Sequence, residues 1–120
     1  MRVLLAEDNE LDRKMELRMI EHLGYQANIA VNGLEVLQAL KRDPYDLILM
    51  DIQMPKMDGL EATKVIRRRC PDSRQPNIIA VTGYVLPNIK EICIEAGMED
   101  CLIKPIRIDD ISKLLHRYPS

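Results

Sequence analysis

Asp-Leu-Ile-Leu-Met-Asp-Ile-Gln-Met-Pro-Lys-Met-Asp-Gly, residues 46–59, contains an apolar run at 47–50 that stops at Asp51 and passes on to Pro55 and the turn pair Asp58-Gly59. A four-residue apolar run ending on an acid and followed by turn residues reads as a buried strand whose last residue faces an open edge. Similar runs recur at 3–6, 27–31, 78–81 and 101–103. Four of the five are nearly continuous in apolar residues, the pattern of a parallel sheet covered on both faces. Between them lie stretches with helical spacing, such as Leu11, Met15 and Met19 with Arg18 and His22 polar, and Val36, Leu37 and Leu40. Gly24, Asn32-Gly33, Asp43-Pro44, Pro71-Asp72, Pro76-Asn77 and Gly97 fall at the junctions.

Five βα units in 120 residues imply one α/β domain spanning 1–120: a doubly wound parallel sheet of order 2-1-3-4-5, the flavodoxin-like arrangement. Such a sheet takes ligands outside the carboxyl ends of its strands, at the point between strands 1 and 3 where the winding reverses. That edge collects Glu7 and Asp8 after strand 1, Asp51 after strand 3, Thr82 after strand 4 and Lys104 after strand 5. Three crowded carboxylates repel one another, and a divalent oxygen-seeking cation relieves the repulsion; magnesium, which is content with one or two carboxylates plus phosphate oxygens and water, suits so thin a ligand set. Asp8 and Asp51 are the direct candidates. A carboxylate also attacks phosphorus, with Lys104 and the metal neutralising the phosphoryl oxygens and the Thr82 hydroxyl donating to one of them. At its ordinary pKa the nucleophile is ionised at neutral pH and needs no general base.

Each residue alone has a plainer reading: Asp8-Asn9 as a helix cap, Asp51 as a turn residue before Pro55, Thr82 as a strand end and Lys104 as a solvated charge. Taken together at one edge of four strands, they point to a phosphate and metal site.

Composition narrows the partners. With 17 basic and 19 acidic residues the net charge is -2, which attracts neither nucleic acid nor an anionic membrane. No apolar run approaches the roughly 20 residues that span a bilayer, so a cytoplasmic location is expected. Three cysteines without a CxxC spacing (Cys70, Cys93, Cys101) suit neither a disulfide framework nor a zinc site and read as small packing residues. His22 and His116 lie near helix C-termini, where imidazole is favoured structurally, and Arg67-Arg68-Arg69 reads as a solvated helix end.

Leu-Leu-Ala-Glu-Asp-Asn (4–9), the 46–59 stretch, Glu-Ala-Gly-Met-Glu-Asp (95–100) and Lys104-Pro105 together resemble the receiver domains of two-component signalling, closest in wording to the receivers of hybrid histidine kinases. The resemblance covers essentially all 120 residues. It implies phosphorylation of Asp51 from a phosphohistidine on a histidine kinase or histidine phosphotransfer domain, without turnover of an outside substrate. It implies magnesium bound by Asp8, Asp51 and the backbone carbonyl of Gln53, with Glu7 acting through water. Thr82 becomes the switch hydroxyl and Lys104 the phosphate-pairing lysine, with a cis Lys104-Pro105 bond. Pro55 and Gly59 shape the loop over the site.

The resemblance also implies a docking or dimerisation face on helix 4, strand 5 and helix 5, for which Val85, Leu86 and Ile94 are candidates beside the core stripes Ile89, Ile92, Cys93, Ala96 and Ile108, Ile111, Leu115. The motif wording favours a piece of a hybrid kinase, and the absence of an output domain permits a stand-alone regulator.

Three positions depart from the family. Cys101 stands where an aromatic ring usually reads out the switch, which shifts the expected readout toward Tyr84 and helix 4. Gly83 replaces the commoner alanine after Thr82 and is expected to loosen that loop and widen access to the phosphoryl group. Arg107 stands where a capping side chain often opens the last helix, with Asp109 and Asp110 following.

Competing readings are weaker. A phosphatase of the haloacid dehalogenase type needs a second acid two residues after the nucleophile, where this chain has Gln53. A nucleotide or flavin binder needs a phosphate loop where this chain has Glu-Asp-Asn. A receiver fold reduced to a docking module is supported by Cys101 alone.

Overall fold

Alternating apolar runs and helical stretches fold, in the computed structural model, into five βα units; the structure describes residues 1–83 and 86–118. The elements are β1 (Val3–Ala6), α1 (Glu10–His22), β2 (Ala27–Ala30), α2 (Gly33–Arg42), β3 (Leu47–Asp51), α3 (Gly59–Arg69), a 3-10 turn (Asp72–Arg74), β4 (Asn77–Thr82), α4 (Ile89–Ala96), β5 (Asp100–Ile103) and α5 (Ile108–Arg117). The strands pair in parallel in the order β2-β1-β3-β4-β5, as the count of βα units implies. Tyr84 and Val85, singled out above, lie outside the described residues.

Successive strand residues point to opposite faces, so each strand feeds two cores. Leu4, Ile48, Met50, Ile78 and Ala80 face α2, α3 and α4 through Val36, Ala62, Ile66 and Cys93. Leu5, Leu47, Leu49, Ile79 and Val81 face α1 and α5 through Ile20, Ile111, Leu114 and Leu115. The edge strands are less covered, leaving Ile29 and Ile103 exposed.

Three helices open at the carboxyl edge of the sheet on side-chain caps: Asn9 Oδ1 accepts from the Asp12 N–H at 2.9 Å, Asn32 from Glu35 at 2.9 Å and Asp58 from Glu61 at 2.8 Å. These caps fix where α1, α2 and α3 begin and hence where the loops that carry the acids end. At α5 the polarity is reversed: no side chain of Arg107 caps, and its backbone N–H donates to Asp110 Oδ2 at 3.0 Å.

The α1 stripe is a correction. Leu11 is 68% exposed and Met15 45%, while Glu16 and Ile20 are buried. The rows Leu11-Met15-Met19 and Asp12-Glu16-Ile20 are neighbours on one helix, about 100° apart, and the packing against α5 and the sheet selects the second. An acid therefore occupies a buried position that apolar periodicity assigned to its neighbour. The stripes of α4 and α5 fall as expected, with Ile94 outside and half exposed.

Candidate functional site

The carboxyl ends of β1, β3, β4 and β5 bring polar residues to one edge of the sheet. Glu7 follows β1 and is fully buried, Asp51 is the last residue of β3, and Thr82 is the buried last residue of β4. Lys104 follows β5, its backbone N–H donating to Thr82 O at 2.8 Å and its bond to Pro105 cis. Asp8 is exposed at the mouth. Oxygens of Glu7, Asp8 and Asp51 all lie within 4.8 Å of one another, an arrangement able to hold a metal ion.

The loop after Asp51 is held close by its own backbone. Lys56 takes a positive φ of 67°, Met57 donates to Pro55 O at 2.7 Å, and the Gly59 N–H donates to Ile52 O at 2.8 Å. A Cβ on Gly59 would collide with the Asp51 carbonyl oxygen, so only glycine lets α3 start this near the acid. Pro55 and Gly59 thus shape the loop as expected. Gly83 is different: a Cβ there meets nothing nearer than Lys104 Cδ at 3.9 Å, so alanine would fit and the glycine adds freedom without making room.

Lys104 is the centre of charge. Its Nζ lies 2.7 Å from Glu7 Oε1, 3.0 Å from Asp12 Oδ2 and 3.5 Å from Asp51 Oδ2. These partners hold its ammonium charged despite burial. Asp51 Oδ1 accepts from the Gln53 N–H at 3.3 Å, and Glu7 Oε2 from the Asn9 N–H at 3.2 Å.

The surroundings of Asp51 work against the ionised form expected from its ordinary pKa. Burial, followed by its closeness to Glu7, pushes its carboxyl up to about 8, and Lys104 offsets this only in part. A buried acid beside a buried acid loses more solvation than one lysine returns. The residues present fit a divalent cation, whose charge would draw Asp51 back to the ionised form.

Two acids escaped the sequence reading. Asp12 pairs with Lys104 from the first turn of α1, and Glu16, 4% exposed one turn later, has its Oε1 without a hydrogen-bond partner among the described residues. Burial pushes Glu16 up to about 8, with Glu7 adding to the effect. Their i, i+4 spacing was visible, but nothing local shows that this row faces inward. Arg13, also missed, donates to the Glu7 and Asp8 carbonyls at 3.2 and 3.4 Å and braces the acidic loop.

Arg67 is not part of a solvated helix end. It donates to Gly97 O at 2.7 Å, Gln75 Oε1 at 2.7 Å and Pro76 O at 2.8 Å, and its Nη2 lies between both carboxylate oxygens of Glu99 at 2.9 and 3.0 Å. Glu99 in turn accepts from the Ile78 N–H at 2.6 Å, joining α3, the entry to β4 and the turn before β5. The cysteines behave as packing residues: burial pushes the Cys93 thiol up to about 12 and raises that of Cys101 beside it.

With this geometry in view, residues 3–116 match the family model of the response regulator receiver domain. The chain is 41% identical over 113 residues to the hybrid signal transduction protein dokA of Dictyostelium discoideum, covering 94% of this chain and 7% of that protein. The chain thus spans a small part of that relative's length. It superimposes, with a TM-score of 0.88 and 35% identity, on the receiver domain of the sensor histidine kinase PA1611 from Pseudomonas aeruginosa PAO1, covering 98% and 95% of the two chains. That crystal structure has a magnesium ion coordinated in its active site cleft. A TM-score of 0.88 with 26% identity, covering 98% and 88%, relates it to the receiver domain of Ssk1 from Saccharomyces cerevisiae, crystallised with the histidine phosphotransfer protein Ypd1.

Proposed function

The chain belongs to the response regulator receiver domains of two-component signalling, and from that membership we propose that Asp51 accepts a phosphoryl group from a phosphohistidine on a histidine kinase or histidine phosphotransfer protein. The observation that carries this reading is the convergence on Asp51: an ammonium 3.5 Å from one carboxylate oxygen and two further acids whose oxygens lie within 4.8 Å. Acceptor, counter-charge and cation cradle meet at one strand end.

In the transfer a carboxylate oxygen of Asp51 forms the new bond to phosphorus as the bond from phosphorus to the histidine nitrogen breaks, and the imidazole leaves with its electron pair. Asp8, Asp51 and the Gln53 carbonyl, with Glu7 through water, would hold magnesium, which would supply charge to neutralise these acids and the incoming phosphoryl oxygens. Lys104 pairs with a phosphoryl oxygen, and the Thr82 hydroxyl donates to another, which makes Thr82 the residue that registers the modification. The domain phosphorylates and dephosphorylates itself and turns over no other substrate.

Downstream, the face of α4, β5 and α5, where Ile94 and Ile103 are exposed, is the proposed surface for a partner or a second copy. With Cys101 at the position of the usual aromatic, the signal passes through the movement of Thr82 and α4 without a large ring turning inward.

Intact-mass spectrometry after incubation with acetyl phosphate tests the reading. The expected result is a gain of one phosphoryl mass that requires magnesium and is lost in Asp51→Asn. No gain under any condition, or an equal gain in the variant, overturns it.

A further inference from the structure

Lys104 has more acceptors than the acceptor chemistry needs. An ammonium has three donors, and three carboxylates surround this one: Glu7 at 2.7 Å, Asp12 at 3.0 Å and Asp51 at 3.5 Å. Asp51, the residue proposed to receive the phosphoryl group, has the longest of the three. A phosphoryl oxygen arriving at Asp51 therefore meets a lysine already engaged elsewhere, and one contact has to give way.

Burial decides which. Glu7 is fully buried, so releasing it leaves a carboxylate with no water to replace the lysine and only a cation in the cradle to take up its charge. The Asp12 side chain is 37% exposed and is rehydrated when it lets go. The capping bond of α1 uses the Asp12 backbone N–H and leaves the carboxylate free for Lys104. Lys104 sits between a buried anchor and a releasable one.

We propose that Asp12 is a positioning residue that holds Lys104 back from Asp51 and thereby slows phosphoryl acceptance until the lysine is released. The inference rests on Asp51 being the phosphoryl acceptor and adds to that reading a restraint supplied by α1.

The test is a double-mutant cycle on the full chain. Initial rates of phosphorylation by acetyl phosphate at saturating magnesium are read by intact mass for wild type, Asp12→Asn, Lys104→Ala and the double variant, with urea unfolding to show that each is folded. Asp12→Asn is expected to accelerate acceptance by roughly two- to fivefold, the scale of one partly exposed ion pair. That acceleration is expected to vanish in the Lys104→Ala background, since a residue acting through Lys104 has nothing to act on there. An unchanged or slower rate in Asp12→Asn overturns the proposal, as does an equal acceleration without Lys104.

A second measurement does not depend on phosphorylation. Acetylation of Lys104 by acetic anhydride, read against exposed Lys64 in the same chain, is expected to rise in Asp12→Asn. Unchanged labelling refutes the restraint even where the wild type proves to take no phosphoryl group, an outcome that instead sinks the role of Asp51.

Discussion

Glu16 shows how one residue can be costly and unnoticed. Its carboxyl is pushed up to about 8 by burial and by the acids that share its surroundings, Glu7, Asp12 and Asp51, with Lys104 opposing. The folded form holds a proton that the unfolded chain releases near 4.5, the ordinary value for a glutamate. Between those values the folded state binds more protons, so this residue lowers stability as pH rises toward 8. Glu16→Gln removes the dependence. The variant is expected to be more stable than wild type by roughly 1–3 kcal/mol above pH 8 and nearly equal at about pH 5, by urea unfolding at the two pH values. A variant no more stable at high pH would mean that Glu16 is solvated or paired in solution. One acid among the four of α1 gave no sign of this in the sequence, because burial is set by what packs on α1.

At the scale of elements, the legible part is local. Asn9, Asn32 and Asp58 stand before apolar periodic stretches and cap them, as their short hydrogen-bonding side chains allow. The illegible part is how elements tie together. Arg67 closes α3 yet binds the entry to β4 and the α4–β5 turn, 8 to 32 residues away in sequence. Gly97 permits this closeness, since a Cβ there would stand 2.7 Å from Arg67 Cγ. Arg67→Ala strands Glu99 and several carbonyls. It is expected to destabilise the fold by about 2–4 kcal/mol, read as a lower urea midpoint at unchanged slope. Arg67→Lys recovers little of this, because a point charge cannot replace the planar fork. A loss under about 0.5 kcal/mol in Arg67→Ala would show the network to be solvated after all.

For the whole molecule, the assembled edge stores repulsion that a cation releases. Glu7, Asp8 and Asp51 sit together with Lys104 as the counter-charge nearest to Asp51, and burial raises Asp51 accordingly. Magnesium binding to the folded state alone raises stability by mass action, about 2.7 kcal/mol at one hundred times its dissociation constant. Thermal unfolding is therefore expected to move upward with magnesium in wild type and to stay in place in Asp8→Asn. An equal shift in both would place the ion elsewhere. No helix among the described residues is long and apolar enough to cross a membrane.

The fold class, the strand order and the identity of the edge residues could be read from the chain, because each follows from short-range pattern and a topological rule. Apolar runs of three to five, broken by glycine, proline and asparagine, specify βα units, and a five-unit doubly wound sheet puts residues 7, 8, 51, 82 and 104 at one edge. Tertiary structure alone decided which row of α1 turns inward, that Asp12 shares Lys104, that Asp51 is buried close to Glu7, and that Arg67 is a tie between elements. Those outcomes depend on charges from distant segments meeting in one poorly solvated volume, where small differences in burial and distance choose the partner.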